Sequence, residues 1–235
     1  MKTAHSILVV CSISALAASS ALAQMSNEAG ENSFEVTITN LTAGQPFSPG
    51  VIVTHSPDVH LFEAGAEPSQ GVIEIAENGM PETASEMLQG MIDSGITDVV
   101  AIDAPIMRVG ADAPNEASFS ISANEGDVLS IVTMLICTND GFVGVDSMPL
   151  SGEMTEMEAM AYDAGSEVNN ELTNSIVDPC GAAGPVMFEE DGNINDIADD
   201  GNVIAEHAGI QGVGDLTDAH GWSGPVARIS IAPGS

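Results

Sequence analysis

Positive charge is almost missing from this sequence. Three Lys and Arg residues stand against 35 Asp and Glu, for a formal charge of −32. Such a chain is a poor partner for nucleic acid or an anionic bilayer, because the phosphate attraction that drives such binding turns into repulsion. Catalytic signatures are missing as well: there is no H-E-x-x-H zinc motif and no G-x-S-x-G nucleophile elbow. The GIQGVG run at 209–214 does not lie between a strand and a helix of a βαβ unit, so it reads as backbone turns, not a dinucleotide fingerprint. No internal repeat is evident, and the N-terminal apolar run is broken by serines and falls short of the roughly 20 residues of a membrane span.

Apolar content is plentiful. At 44% hydrophobic residues the chain carries too much for a disordered acidic polymer. The acidity therefore reads as adaptation to salt, where short Debye lengths screen like charges. Residues 1–23 have the three parts of an export signal: Lys2, an apolar stretch at 7–17, and Ala21-Leu22-Ala23 before Gln24. The expectation is a cleaved leader, a flexible lead-in over 24–32 and a single domain over 33–235, placed outside the cell, in the periplasm or in the envelope.

Alternation at 34–39 places Phe34, Val36 and Ile38 on one face, which predicts a half-buried strand. Further strands are expected at 51–55, 97–102, 116–122, 128–136 and 226–231, with 44–50 a turn-rich connection. Between 69 and 93 the apolar spacing becomes helical and Pro81 interrupts it, predicting two short inserted helices. Residues 178–200 read as a solvated acidic loop. Strands with turn punctuation and no βαβ alternation predict an all-β fold, an antiparallel β-sandwich.

The stretch 137–167 carries the chemistry. It runs CTNDGFVGVDSMPL, then a Met- and Glu-rich connector, then AYDAGSE, so that Asp140, Asp146, Asp163 and Glu167 are gathered around glycine turns. Acidic oxygens brought together in this way suit a hard cation such as calcium. They are also the ordinary turn residues of a very acidic chain, and no EF-hand loop is present. Both readings stay open on spacing alone.

NDGFVGVDSMPL followed by YDAGSE resembles the spondin domain, the N-terminal domain of F-spondin and mindin that also occurs in bacterial secreted proteins. FEVTITNLTAGQPFSPGVIVTH at 34–55, HAGIQGVGDL at 207–216 and PVARISI at 225–231 fit the same resemblance. It implies a C2-like sandwich with bound Ca2+, used for adhesion or for binding an extracellular protein or glycan, without catalysis. The implied metal ligands are Asp140, Asp163 and Glu167, with Asp146 of second rank. Glu167 stands where the animal domains carry Asp, and Gly141 where a bulky residue usually follows the first Asp.

Two cysteines remain after the expected cleavage, Cys137 and Cys180, and in an exported protein an even pair suggests a disulfide in place of two free thiols. Among the histidines, His55 and His60 are five apart and do not share a helix face. A metal-dependent hydrolase using His55, His60 or His207 is the alternative to a binding module, and a structural envelope protein is the third reading.

Overall fold

The computed structural model describes residues 32–189, 194–198 and 202–234. The expected leader lies outside the described residues, as does the lead-in except for Asn32, which opens the first strand. Nine strands among the described residues form one antiparallel sheet. They are β1 (Asn32–Asn40), β2 (Phe47–His55), β3 (Ile96–Ile102), β4 (Glu116–Ala123), β5 (Val128–Leu135), β6 (Gly141–Pro149), β7 (Thr155–Asp163), β8 (Ala205–Glu206) and β9 (Ala227–Pro233).

Hydrogen bonding runs in the order β3-β2-β5-β6-β7-β9-β1-β4, with β8 added beside β7. Strand β7 belongs to both faces: Thr155 to Ala159 pair with β9, whereas Met160 to Asp163 pair with β6. The path folds into a sandwich whose two free edges approach each other. Thr54 Oγ1 on β2 donates to Ser122 O at 2.6 Å, and Ser122 N–H donates to Asp98 Oδ2 on β3 at 2.8 Å.

Alternation explains the interior. Phe34, Val36 and Ile38 of β1 meet Ile121 of β4, Ile229 and Ile231 of β9, and Ile52 and Ile131 from the opposite sheet. Strand β5 is buried along its whole length, which accounts for its nearly continuous apolar sequence. Its second face lies under two helices, α1 (Gln70–Asn78) and α2 (Glu82–Gln89). These are the two helices expected around Pro81. Ser69 caps α1 by accepting from Val72 N–H, and Gly79 ends it in the left-handed conformation.

Three boundaries differ from the sequence expectation. Strand β2 begins at Phe47 and runs through Pro49, because a register shift between Phe47 and Gly50 removes the ladder bond proline cannot make. The Met- and Glu-rich connector is largely strand β7, whose inward positions are the small Ala159 and Ala161. Within the acidic loop 178–200, Pro179–Ala183 forms a short helix, α3. No described helix is long and apolar enough to cross a membrane.

Candidate cation site

The loop between β5 and β6 is fixed before any acid is considered. Thr138 Oγ1 donates to Leu135 O at 2.7 Å and accepts from Gly141 N–H at 2.9 Å. A Cβ at Gly141 would sit 2.5 Å from that hydroxyl and 3.0 Å from His207 Cδ2. Glycine stands here because the turn and the histidine ring leave no room for a side chain. Cys137 and Cys180 are joined, with S–S 2.05 Å and Cα–Cα 5.1 Å. The bridge ties the start of this loop to α3, within a small apolar cluster of Ile136, Ile176 and Leu216.

Asp140 ends the loop fully buried. Its Oδ2 accepts from Ser166 N–H at 2.7 Å, Glu167 N–H at 3.0 Å and Ser166 Oγ at 3.3 Å. Its carbonyl accepts from Ala164 N–H at 3.1 Å. The other carboxylate oxygen, Oδ1, is buried without a hydrogen-bond partner, as are both oxygens of Glu167. Three orphaned acidic oxygens in an interior are costly unless a proton or a cation meets them.

Electrostatics point the same way. Burial, reinforced by the charge of Asp163, pushes the Asp140 carboxyl up to about 6. Burial, then the charges of Glu77 and Asp140, pushes Glu167 up to about 8; the Asn139 amide is close enough to offset part of this, but its geometry falls short of a hydrogen bond to either carboxylate oxygen. Asn139 directs its Nδ2 to Asn170 Oδ1 at 3.2 Å. Neither arginine helps: Arg108 donates to Ala183 O and Ala43 O, and Arg228 approaches Glu158 at 4.0 Å.

Asp163 lies across the β6–β7 pair, opposite Gly141. Gly165, at φ +72°, lets the chain turn so that its N–H reaches Asp163 Oδ1 at 2.7 Å, while Asn169 Nδ2 holds Oδ2. Asp140, Asp163 and Glu167 are therefore neighbours, but Asp163 has both oxygens engaged. Among the described residues no group of three His, Cys, Asp or Glu side chains converges closely enough to grip an ion as placed.

Asp146 is not part of this group. It lies six residues beyond Asp140, roughly 20 Å along an extended strand. There it meets His60 Nδ1 at 2.6 Å, Ser147 Oγ at 3.0 Å and Ser130 Oγ at 3.3 Å. That hydrogen bond and charge raise the His60 pKa. The structure places this second-rank candidate apart from the other three acids, and a register shift between Leu129 and Ile131, with Ser147 at φ +58°, gives it a different partner set.

Of the other histidines, His55 lies apart from the acids, while His207 borders them beside Gly141 and Asp163. His55, fully buried, contacts Ser56 O at 2.9 Å and Ser130 Oγ at 2.7 Å. His207 Nδ1 accepts from Gly209 N–H at 2.9 Å, and its Nε2 is buried without a hydrogen-bond partner. Its ring packs on Trp222 at 5.1 Å, and burial lowers its pKa.

Sequence reading missed Glu77 and Glu171, and took Asp196 as part of a solvated acidic loop. Glu77 sits on α1 and accepts from Asn195 Nδ2, and Asp196 accepts from Asn170 Nδ2 at 3.0 Å. The 194–198 segment is laid beside the site by a bridge from Glu167 to Ile197. Glu171 is buried at φ +54° and takes Gln211 and Val213 N–H groups on its carboxylate, shaping the 207–216 loop. Gly214 packs on the same turn, where a Cβ would lie 2.3 Å from Asn170 O, a closeness only the fold reveals.

An antiparallel sandwich with an acid-lined loop at one end, clamped by a disulfide, defines a β-sandwich module with a candidate cation site. The family model Spondin_N matches residues 32–175, more than half of the chain. The chain belongs to the spondin N-terminal domain family. Its matched part ends before α3, β8 and β9, yet β9 is the strand that joins β7 to β1. No curated protein matches the sequence significantly.

Proposed function

We propose that this protein is an exported, calcium-binding adhesion or ligand-binding module without catalytic activity. The observation that carries the metal is the set of three buried, partnerless oxygens on Asp140 and Glu167. The donors are all oxygen, the chemistry of a hard cation. A bound ion would supply the missing positive charge. Asp140 and Glu167 would hold it, and Asp163 would complete the carboxylate set on leaving Asn169. Calcium takes about 6–8 oxygens, so turn carbonyls and water make up the remainder.

Family membership supports an extracellular partner, a protein or a glycan, and the formed disulfide supports an oxidising compartment. The acidic surface supports solubility in salt. Metal analysis of protein purified without chelator tests the reading. Calcium near one equivalent is expected; stoichiometric zinc or iron would overturn it in favour of the histidine-based hydrolase.

A further inference from the structure

Between the α1–α2 hairpin and the outer face of the β2–β5 pair lies a cavity of about 140 Å³. Its origin is in the side chains. At the helix crossing Gly71 packs on Ala84 so closely that a Cβ at Gly71 would come within 2.9 Å of the Ala84 Cβ. The floor is made by two short side chains, Val51 and Val132, and the wall by Val72 and Ile75. Tight contact at one point and short residues beyond it leave a gap that the hairpin cannot close.

We infer that this cavity is a binding site for a compact, uncharged, apolar molecule about the size of a benzene ring. Apolar spaces of about 150 Å³ admit benzene or xenon, because their lining atoms lack dispersion partners on one side. In a chain with 35 carboxylates none lines this space among the described residues. His60, the one titratable group there, is bonded to Asp146. A charged guest would find no counter-ion inside. Met87 and Met91 line the cavity while remaining 50% and 38% exposed, and their flexible thioethers form a way in that can open without moving a helix.

The test is titration of the full protein with benzene, followed by the methyl signals of 13C-methyl-labelled methionine, on wild type and Val132→Phe. A saturable shift of the Met87 and Met91 signals in wild type is expected, with at least tenfold weaker binding once phenylalanine fills the floor. If Val132→Phe does not fold, Leu88→Phe fills the space from the helix side and is read the same way. No saturable shift at Met87 and Met91 in wild type would overturn the proposal. Equal affinity in the filled variant would overturn it as well, since the guest would then be elsewhere.

Discussion

Gln45 and Cys137 exchange two hydrogen bonds: Gln45 Nε2 donates to Cys137 O at 3.0 Å, and Cys137 N–H donates to Gln45 Oε1 at 2.9 Å. One side chain thus supplies the pairing that a neighbouring strand would give the backbone just past β5. Its second amide hydrogen goes to His220 O at 2.7 Å. The start of the acid-bearing loop is therefore held from the TAGQPF stretch and from the turn at Asp218–His220.

Gln45→Leu keeps the size of this fully buried residue but orphans one N–H and two carbonyls. Each orphan costs about 1–3 kcal/mol, so a loss of about 3 kcal/mol or more in urea unfolding is expected. A loss below about 1 kcal/mol would show that these bonds do not hold the loop.

Removing the disulfide opens a separation of 43 residues. The chain-entropy relation gives about 4 kcal/mol for a loop of this length. Cys137→Ala/Cys180→Ala is expected to lose about that much stability, read from denaturant midpoints with reductant absent. An unchanged midpoint would contradict it.

Gly144, in the V-G-V-D-S motif, faces an aromatic triad. Phe62 and Phe142 meet edge to face with centroids 5.1 Å apart, and Phe142 stacks on Tyr162 at 5.6 Å. A Cβ at Gly144 would lie 2.5 Å from Phe62 Cζ and 2.7 Å from Tyr162 Cδ2. Gly144→Ala should cost about 1–3 kcal/mol by overpacking, measurable as a lowered melting temperature. A neutral result would mean the triad can shift.

These residues also show what could be read in advance. Period-two alternation marked β1 and β4, and burial on both faces marked β5, because in each case the apolar pattern is itself the contact pattern. Strand β7 was hidden: its inward residues are alanines and its outward ones Met and Glu, types with little strand preference. The nearness of Asp140, Asp163 and Glu167 was legible from turn chemistry and family resemblance. Glu77 was not, since its approach to Glu167 depends on how α1 packs against the 194–198 segment. Asp146 sits six residues beyond Asp140 on β6, a separation the strand spacing already carried, whereas its pairing with His60 depends on the bulge opposite Ser130.

The raised carboxyls set a pH dependence. Folding lifts Asp140 to about 6 and Glu167 to about 8, above their ordinary values. The metal-free folded state therefore binds more protons than the unfolded chain. Stability from these groups is complete below about pH 4 and declines as pH rises through about 6 and then about 8. Calcium needs the ionised forms, so its binding should strengthen over the same range and release protons. Glu77, Asp163 and Asp196 face the pair and deepen the effect. Melts of chelated protein at fixed ionic strength should show wild type losing more stability than Glu167→Gln between pH 5 and 8.5. Parallel losses would remove Glu167 as a cause.

Calorimetric titration of calcium into chelated wild type, Asp140→Asn, Glu167→Gln and Asp146→Asn bears most directly on the central claim. Wild type should bind, and calcium at about 100 times the dissociation constant should add about 2.7 kcal/mol of stability. Asp140→Asn and Glu167→Gln should each weaken binding at least tenfold, while Asp146→Asn leaves it unchanged. Absence of binding by wild type, or wild-type affinity in both Asp140→Asn and Glu167→Gln, would contradict a calcium site between these two acids.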